Sequence, residues 1–277
     1  MGNWRKQVDH LSLIVYKSKE SYRQCFWIHK FNMQRQFGLL RSLITYYGNP
    51  LNSRRLRRLY GQFLGPGDLY FDVGAHVGNR VRIAANLGAH VIALEPNPTL
   101  EAFLQSWYGE NNSVSILQKG IAGHNGSATL YISDQTPTVS SFSESWIATV
   151  RQHPSFKHIQ WQSKMQIELT TLDELIDTFG VPTFCKIDVE GFELEALQGL
   201  SIALPALSFE YIPLAIDLAL QCIHKLEGLA SYEYNWTVAE KFLLGSVNWL
   251  DAEEIAKLLI SELSQGTSGD IYARRKR

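Results

Sequence analysis

The sequence predicts an α/β protein: a doubly wound, Rossmann-like sheet with a helical N-terminal extension. Two observations predict the sheet and a third the extension. Residues 68–98, DLYFDVGAHVGNRVRIAANLGAHVIALEPNP, read as strand, tight loop, helix and strand, about the length a right-handed crossover needs. Beyond residue 165, short strand-like runs alternate with helical stretches, as when parallel strands are joined by helices. Between Trp4 and Tyr47, apolar and aromatic residues (Leu11, Ile14, Val15, Tyr22, Phe26, Trp27, Phe31, Phe37, Leu40, Ile44) recur densely, which fits two or three amphipathic helices. The expected division is 1–62 for a basic helical extension and 63–277 for the α/β domain.

Taken in order, Gly48-Asn49-Pro50 breaks the first helices, and Arg54, Arg55, Arg57 and Arg58 cluster ahead of Gly65-Pro66-Gly67. That segment reads either as a solvated cap over one sheet edge, or as a contact for an anionic surface or a lid. Leu69 to Val73 is an unalternating apolar run and so a buried strand. Val81 to Leu87 follows at helical spacing and stops at Gly88. His90 to Leu94 is the second strand, ending in Glu95, with Pro96 blocking further pairing. Pro98 to Tyr108 is a helix and Ser113 to Gln118 the third strand. Ser127 to Ser133 alternates like an exposed strand, and Gln166 to Thr170 is another. Residues 134–165, with Ser140, Ser141, Phe142, Trp146, Phe156 and Trp161 beside His153 and His158, are long for a connection; they read equally as packing and as a specificity insertion. Thr171-Leu172-Asp173-Glu174 opens a capped helix. Thr183 to Val189 is the central fourth strand, followed by helix 192–199. Then come strand Ala206 to Tyr211, helix Leu214 to Lys225, strand Tyr232 to Val238, helix Asp251 to Leu263 and strand Asp270 to Arg274.

The loop after the first strand carries the chemistry. Glu95 lies 21 residues beyond Gly74, near the ~20-residue offset at which an acid meets a ribose diol. The loop itself is G-A-H-V-G, without the middle glycine through which G-x-G-x-x-G lets a pyrophosphate approach. Asp72, just before it, would repel a phosphate and suit a cation. A sulfonium with an amino-acid tail, as in S-adenosylmethionine, fits an acid followed by a glycine loop.

FDVGAHVGNRVRIAANLGAHVIALEPNP resembles the cofactor-binding core of FkbM-type methyltransferases, a branch of the class I S-adenosylmethionine-dependent enzymes. A second block, TLDELIDTFGVPTFCKIDVEGFELEALQGL at 171–200, and SFEY at 208–211 extend the resemblance over roughly residues 65 to 235. It implies a seven-stranded class I methyltransferase sheet whose last strand inserts antiparallel, an FkbM-like domain over 63–277, and O-methylation of a small molecule or sugar. Asp72, Gly74, Ala75, His76, Gly78, Asn79, Glu95, Pro96 and Asn97 would hold the cofactor. The 119–123 stretch, where many class I enzymes place an acid or amide against adenine, has no acid, so backbone groups of Ile121 or Ala122 would serve.

In CKIDVEGFE, Lys186, Asp188 and Glu190 are spaced i, i+2, i+4, so a strand reaching Glu190 would present all three on one face at the ligand crevice. Asp188 or Glu190 would deprotonate an acceptor hydroxyl, with Lys186 holding the carboxylates ionised or stabilising an alkoxide. The competing reading is a structural Lys186–Asp188 pair with Glu190 capping a helix. Glu210, ending the next strand, is a further catalytic candidate. No metal is expected, although Asp188, Glu190 and Glu210 are an oxygen set that magnesium could use.

The net charge of −1 conceals an asymmetry. Residues 1–62 hold 12 Lys or Arg against Asp9 and Glu20, and the remainder holds 14 against 25. Such segregation speaks about partners. An acceptor that is a small molecule or glycan is expected, with an anionic-surface contact through the basic segment and no nucleic acid. Cys25, Cys185 and Cys222 lie far apart, which argues against a disulfide framework or a zinc site. No run approaches the ~18 apolar residues of a membrane span, and Lys17, Lys19 and Glu20 interrupt the one apolar stretch near the start, so the cytoplasm is expected. Two other classes remain open: a nicotinamide oxidoreductase, which G-A-H-V-G disfavours, and a non-catalytic cofactor-fold module recruiting partners through its basic end, whose mark would be loss of the strand-end acids.

Overall fold

The computed structural model describes residues 38–47 and 49–276. The helices expected between Trp4 and Phe37 lie outside the described residues. Residues 38–47 are helical (α1). Helix α2 (Pro50–Tyr60) follows, with the Asn49 side chain accepting a hydrogen bond from the Leu51 N–H at 3.0 Å. A proline at the first helical position costs no hydrogen bond there. Leu56, Leu59 and Tyr60 turn inward while Arg54, Arg55, Arg57 and Arg58 stay exposed.

Strand β1 (Leu69–Val73), helix α3 (Asn79–Asn86) and strand β2 (His90–Leu94) form the expected crossover, and helix α4 (Pro98–Tyr108) leads to β3 (Val114–Leu117). Three strands, β4 (Gly120–Ile121), β5 (Gly126–Ile132) and β6 (Ser163–Thr170), make a separate small sheet in the order β4-β6-β5. Two-residue β4 has no sequence signal of its own. The connection from β5 to β6 contains helix α5 (Glu144–Val150). The chain continues through α6 (Leu172–Phe179), β7 (Phe184–Ile187), α7 (Glu193–Gln198), β8 (Ala206–Tyr211), α8 (Ile216–Glu227), β9 (Tyr232–Trp236), α9 (Ala252–Ser261) and β10 (Gly269–Arg275).

The main sheet runs β3-β2-β1-β7-β8-β10-β9. Its pairs are parallel except those of β10, which is antiparallel to both β8 and β9. This is the seven-stranded order with an inserted antiparallel strand that the resemblance implied. Alternation along each buried strand feeds two cores. Phe71, Val73, Cys185 and Ile187 pack with α6, α7, α8 and α9 on one face. Tyr70 and Phe184 pack with α2, α3 and α4 on the other. There Phe184 stacks on Phe63 at 4.7 Å, on Tyr70 at 5.7 Å and on Tyr272 at 6.2 Å, fastening α2 and its following turn to the sheet.

The order reverses between β1 and β7, so their C-terminal ends splay open into a crevice. At that point the two backbones touch. Asp188 N donates to Val73 O at 2.9 Å. Gly74 has φ +88°, and a Cβ there would lie 1.9 Å from the Asp188 carbonyl oxygen. The glycine is therefore demanded by the neighbouring strand end. Gly74→Ala should destabilise the fold by about 2–3 kcal/mol through a forced backbone shift in a left-handed conformation. Urea unfolding checks this, and a change below about 0.5 kcal/mol would show that the strand ends separate freely.

Candidate active site

The crevice is assembled from the loop after β1, the end of β2 and the ends of β7 and β8. Gly74 N and Ala75 N both donate to Leu94 O at 2.9 Å, and Gly78 N returns to Ala75 O at 2.8 Å. The loop turns through left-handed residues at Gly74, His76 and Gly78. Glu95 ties it down: its Oε2 accepts from His76 N at 2.7 Å and its Oε1 from Asn97 N at 2.8 Å. Burial pushes the Glu95 carboxyl up to about 7, although both N–H donors pull the other way. Such an acid is more protonated folded than unfolded. Its contribution to stability is present at low pH and lost as pH rises through about 7.

Asp72 is buried at the end of β1, accepting from Tyr70 Oη at 3.0 Å, while its Oδ2 has no hydrogen-bond partner among the described residues. Burial pushes it up to about 6 against the attraction of Arg80. The His76 imidazole is pushed down to about 4 by burial and meets the Tyr46 ring edge-on at 5.3 Å. Asn97 caps α4, its side chain accepting from Thr99 N at 3.0 Å. Gly78 and the buried Asn79 begin α3 under Leu104 and Tyr108, and a Cβ at Gly78 would sit 2.7 Å from Leu104.

Lys186 is fully buried. Its Nζ lies 2.8 Å from Asp270 Oδ1 and 3.2 Å from Asp188 Oδ2. Burial alone would lower its pKa, but the two carboxylates overturn that and hold it above its usual value. The Arg80 guanidinium adds longer contacts, 3.7 Å to Asp188, 3.8 Å to Glu240 and 3.9 Å to Asp270. Burial tends to raise the Asp188 pKa, yet Lys186 and Arg80 bring it below the usual carboxylate value.

Strand β7 ends at Ile187, so the premise of a strand reaching Glu190 does not hold. Glu190 instead adopts φ +52° in a turn continued by Gly191 at +86°, and Ser141 Oγ donates to its carbonyl at 2.7 Å. Glu190 does not cap α7, which has no side-chain cap among the described residues; Glu193 at the start of that helix instead ties the turn, its Oε1 accepting from Val189 N and Gly191 N. The turn nevertheless brings carboxylate oxygens of Asp188, Glu190 and Glu210 within 4.8 Å of one another. Burial pushes Glu190 and Glu210 well above the ordinary carboxylate value, helped at Glu190 by the charges of Asp188 and Glu193 and at Glu210 by those of Glu190 and Asp188.

Two cavities meet here. One of about 80 Å³ is lined by Gly74, His76, Glu95, Pro96 and Phe142. The other, about 620 Å³, is lined by Glu210, Ile212, Glu240, Asp270 and the insertion residues Val139, His153 and Phe156. Tyr46, Arg80, Thr138, Asp188 and Glu190 line both. The insertion thus does two jobs, because Trp146, Ile147, Val150 and Trp161 form a buried cluster behind that wall.

Of the residues expected at the site, Asp72, Ala75, Gly78, Asn79, Asn97, Ile121, Ala122 and Lys186 line neither cavity. The Ala122 N–H is engaged by Thr170 O at 2.9 Å, and Ile121 belongs to the main core. Sequence reasoning passed over Tyr46, Arg80, Glu240 and Asp270. Arg80 carried a signal, since it stands three and four residues before the buried Ile83 and Ala84 and so shares their inward stripe.

Lys186→Met should cost roughly 3–5 kcal/mol in urea unfolding, because Asp270 and Asp188 lose their buried counter-charge. Unchanged stability with lost turnover would return Lys186 to a role in the chemistry.

Residues 72–215 match the family described as the methyltransferase FkbM domain. The hexuronic acid methyltransferase AglP of Haloferax volcanii is 30% identical over 145 residues, covering 51% of this chain and 54% of AglP; the chain spans about half the length of this curated relative. Among solved structures, a TehB-like S-adenosylmethionine-dependent methyltransferase from Corynebacterium glutamicum is 10% identical at a TM-score of 0.46, covering 88% of this chain and 99% of that one. The O-methyltransferase from Bacillus cereus in complex with SAH is 12% identical at 0.40, covering 89% and 90%. The match to residues 72–215 takes in more than half of the sequence, and the chain belongs to the family of FkbM methyltransferase domains.

Proposed function

We propose that this chain transfers a methyl group from S-adenosylmethionine to a hydroxyl of a sugar, glycan or other small molecule. The observation that supports this most is the meeting of two cavities at Asp188 and Glu190, the smaller against the glycine loop and Glu95, the larger open to an acceptor. The residues fit the cofactor's chemistry: the small cavity's lining includes the carboxylates of Glu95, Asp188 and Glu190, acceptors suited to a ribose diol and to a sulfonium. A dinucleotide would need the N-terminus of α3 for its pyrophosphate. That end is packed beneath Leu104 and Tyr108.

When bound, S-adenosylmethionine supplies an electrophilic methyl on a positively charged sulfur. Glu95 has a lone pair left on each oxygen, beyond those used by His76 and Asn97, with which to accept from the diol. Asp188, held ionised by Lys186 and Arg80, sets a negative charge where the two cavities join. Once ionised, Glu190 is the stronger base of the two, because burial and the Asp188 charge raise its affinity for a proton above that of Asp188. Glu210 stands next to it to share that proton. Hexuronic acid is the acceptor class named for AglP and is the first class to assay.

Glu190→Gln should retain cofactor binding and lose turnover by ~10²-fold or more, measured as label transferred from methyl-labelled cofactor to an acceptor panel that includes hexuronic acids. Full turnover would leave alignment alone driving transfer. A chelator should leave the wild type unaffected, and magnesium dependence would recast the three carboxylates as ligands.

Cofactor affinity should also report on Glu95. The ionised carboxylate accepts from the diol, so affinity for S-adenosylhomocysteine should weaken as pH falls below about 7, approaching tenfold per pH unit. Glu95→Ala should weaken binding by roughly 1.5–3 kcal/mol and flatten that profile. Equilibrium dialysis across pH measures both, and an unchanged profile removes Glu95 from the cofactor site.

A further inference from the structure

The outward faces of α1 and α2 combine two features that soluble surfaces usually keep apart. On α2, Leu51, Arg54, Arg55 and Arg58 follow at intervals of three, one and three, so they share one stripe, opposite the buried Leu56 and Leu59. Leu51 is 58% exposed at the start of that stripe. On α1, Leu40 and Ile44 lie one turn apart and are 52% and 65% exposed, with Arg41 beside them. The sequence around these helices has no Asp or Glu from residue 21 to residue 67, and holds eight Lys or Arg there.

We propose that this face docks on an anionic lipid bilayer. The arginines would meet phosphate and carboxylate headgroups, and Leu40, Ile44 and Leu51 would enter the headgroup–acyl boundary. Charge complementarity alone would suit any polyanion. The aliphatic side chains select among polyanions, because a nucleic-acid backbone offers them no apolar phase, whereas a bilayer buries them just below its headgroups.

The position on the molecule adds a consequence for the site. Tyr46 lies on the inward side of the same helix and lines both cavities, with its ring against His76. One face of α1 would therefore rest on the bilayer while the other walls the crevice. Docking would bring the larger cavity near the membrane surface, where a lipid-borne acceptor would be presented. The lipid-borne acceptor rests on the methyl-transfer reading; the docking itself concerns a surface outside the cavities and does not.

The test is co-sedimentation of the full chain with vesicles of phosphatidylcholine alone and of phosphatidylcholine mixed with phosphatidylglycerol. Binding is expected to the mixed vesicles only, weakening as salt is raised. Arg54→Glu, Arg55→Glu and Arg58→Glu combined should reduce partitioning by roughly tenfold or more. Ile44→Ser with Leu51→Ser should reduce it several-fold at unchanged charge. Every altered side chain is exposed, and thermal unfolding verifies that each variant is folded. Should the charge-reversed protein fail to fold, Arg54→Gln with Arg55→Gln is the milder substitute, with a smaller loss expected. Equal binding to neutral vesicles, or none to either at low salt, overturns the proposal. So does wild-type binding by both sets of variants, which would assign the contact to another segment. Tighter binding to a single-stranded RNA oligonucleotide than to vesicles, insensitive to the serine substitutions, would overturn it in favour of nucleic acid.

Discussion

Lys186 places a full positive charge in the middle of the sheet, where no solvent reaches it, and much of the site follows from the need to compensate it. Strand β10 runs antiparallel between β8 and β9, which brings Asp270 in from the far side to within 2.8 Å of the ammonium. Asp188 approaches from the end of its own strand. The two carboxylates together attract Arg80 from the start of α3, so strand ends and helix are drawn to one point. A buried ammonium is a large liability when alone and a rigid anchor when paired, and here it fixes Asp188 ionised at the junction of the cavities.

The same network separates the behaviour of neighbouring acids. Asp188 sits beside two cations and stays charged. Glu190 and Glu210 sit within 4.8 Å of it, have no ion-pair partner among the described residues, and are driven toward their neutral forms. Three carboxylates in one crevice are thereby divided into a fixed charge and a pair able to hold a proton, a division that burial and spacing impose without further machinery. The glycine loop lines the smaller cavity and also has a structural part. Gly74 is required by the carbonyl of Asp188, so the loop and the acidic turn hold each other in place.

The architecture was largely legible because long-range order left local traces. Strands at 69–73, 90–94 and 206–211 and the helix at 98–108 coincide with their expected limits, since each is a buried apolar run or an amphipathic stretch closed by Gly or Pro. Strand β4 was not legible, as two residues carry no period. The sequence places Glu95, Asp188 and Glu190 at the crevice and all three line it, the first two just beyond strand ends; Glu190 arrives through a left-handed turn instead of the strand that the i, i+2, i+4 spacing implies. Lys186 was assigned to chemistry because spacing cannot tell an ion facing a ligand from one facing Asp270, 84 residues away. Tyr46, Glu240 and Asp270 reach the crevice only through tertiary packing, and no local pattern marks them.

In the proposed reading, the buried Glu95 carboxylate against the glycine loop and the acidic junction of the two cavities accept a cationic, ribose-bearing cofactor. The most direct measurement is calorimetric titration of the full chain with S-adenosylhomocysteine and, separately, with NAD. Saturable one-to-one binding of S-adenosylhomocysteine with no heat from NAD is the predicted result. Saturable binding of NAD with none of S-adenosylhomocysteine would contradict the account.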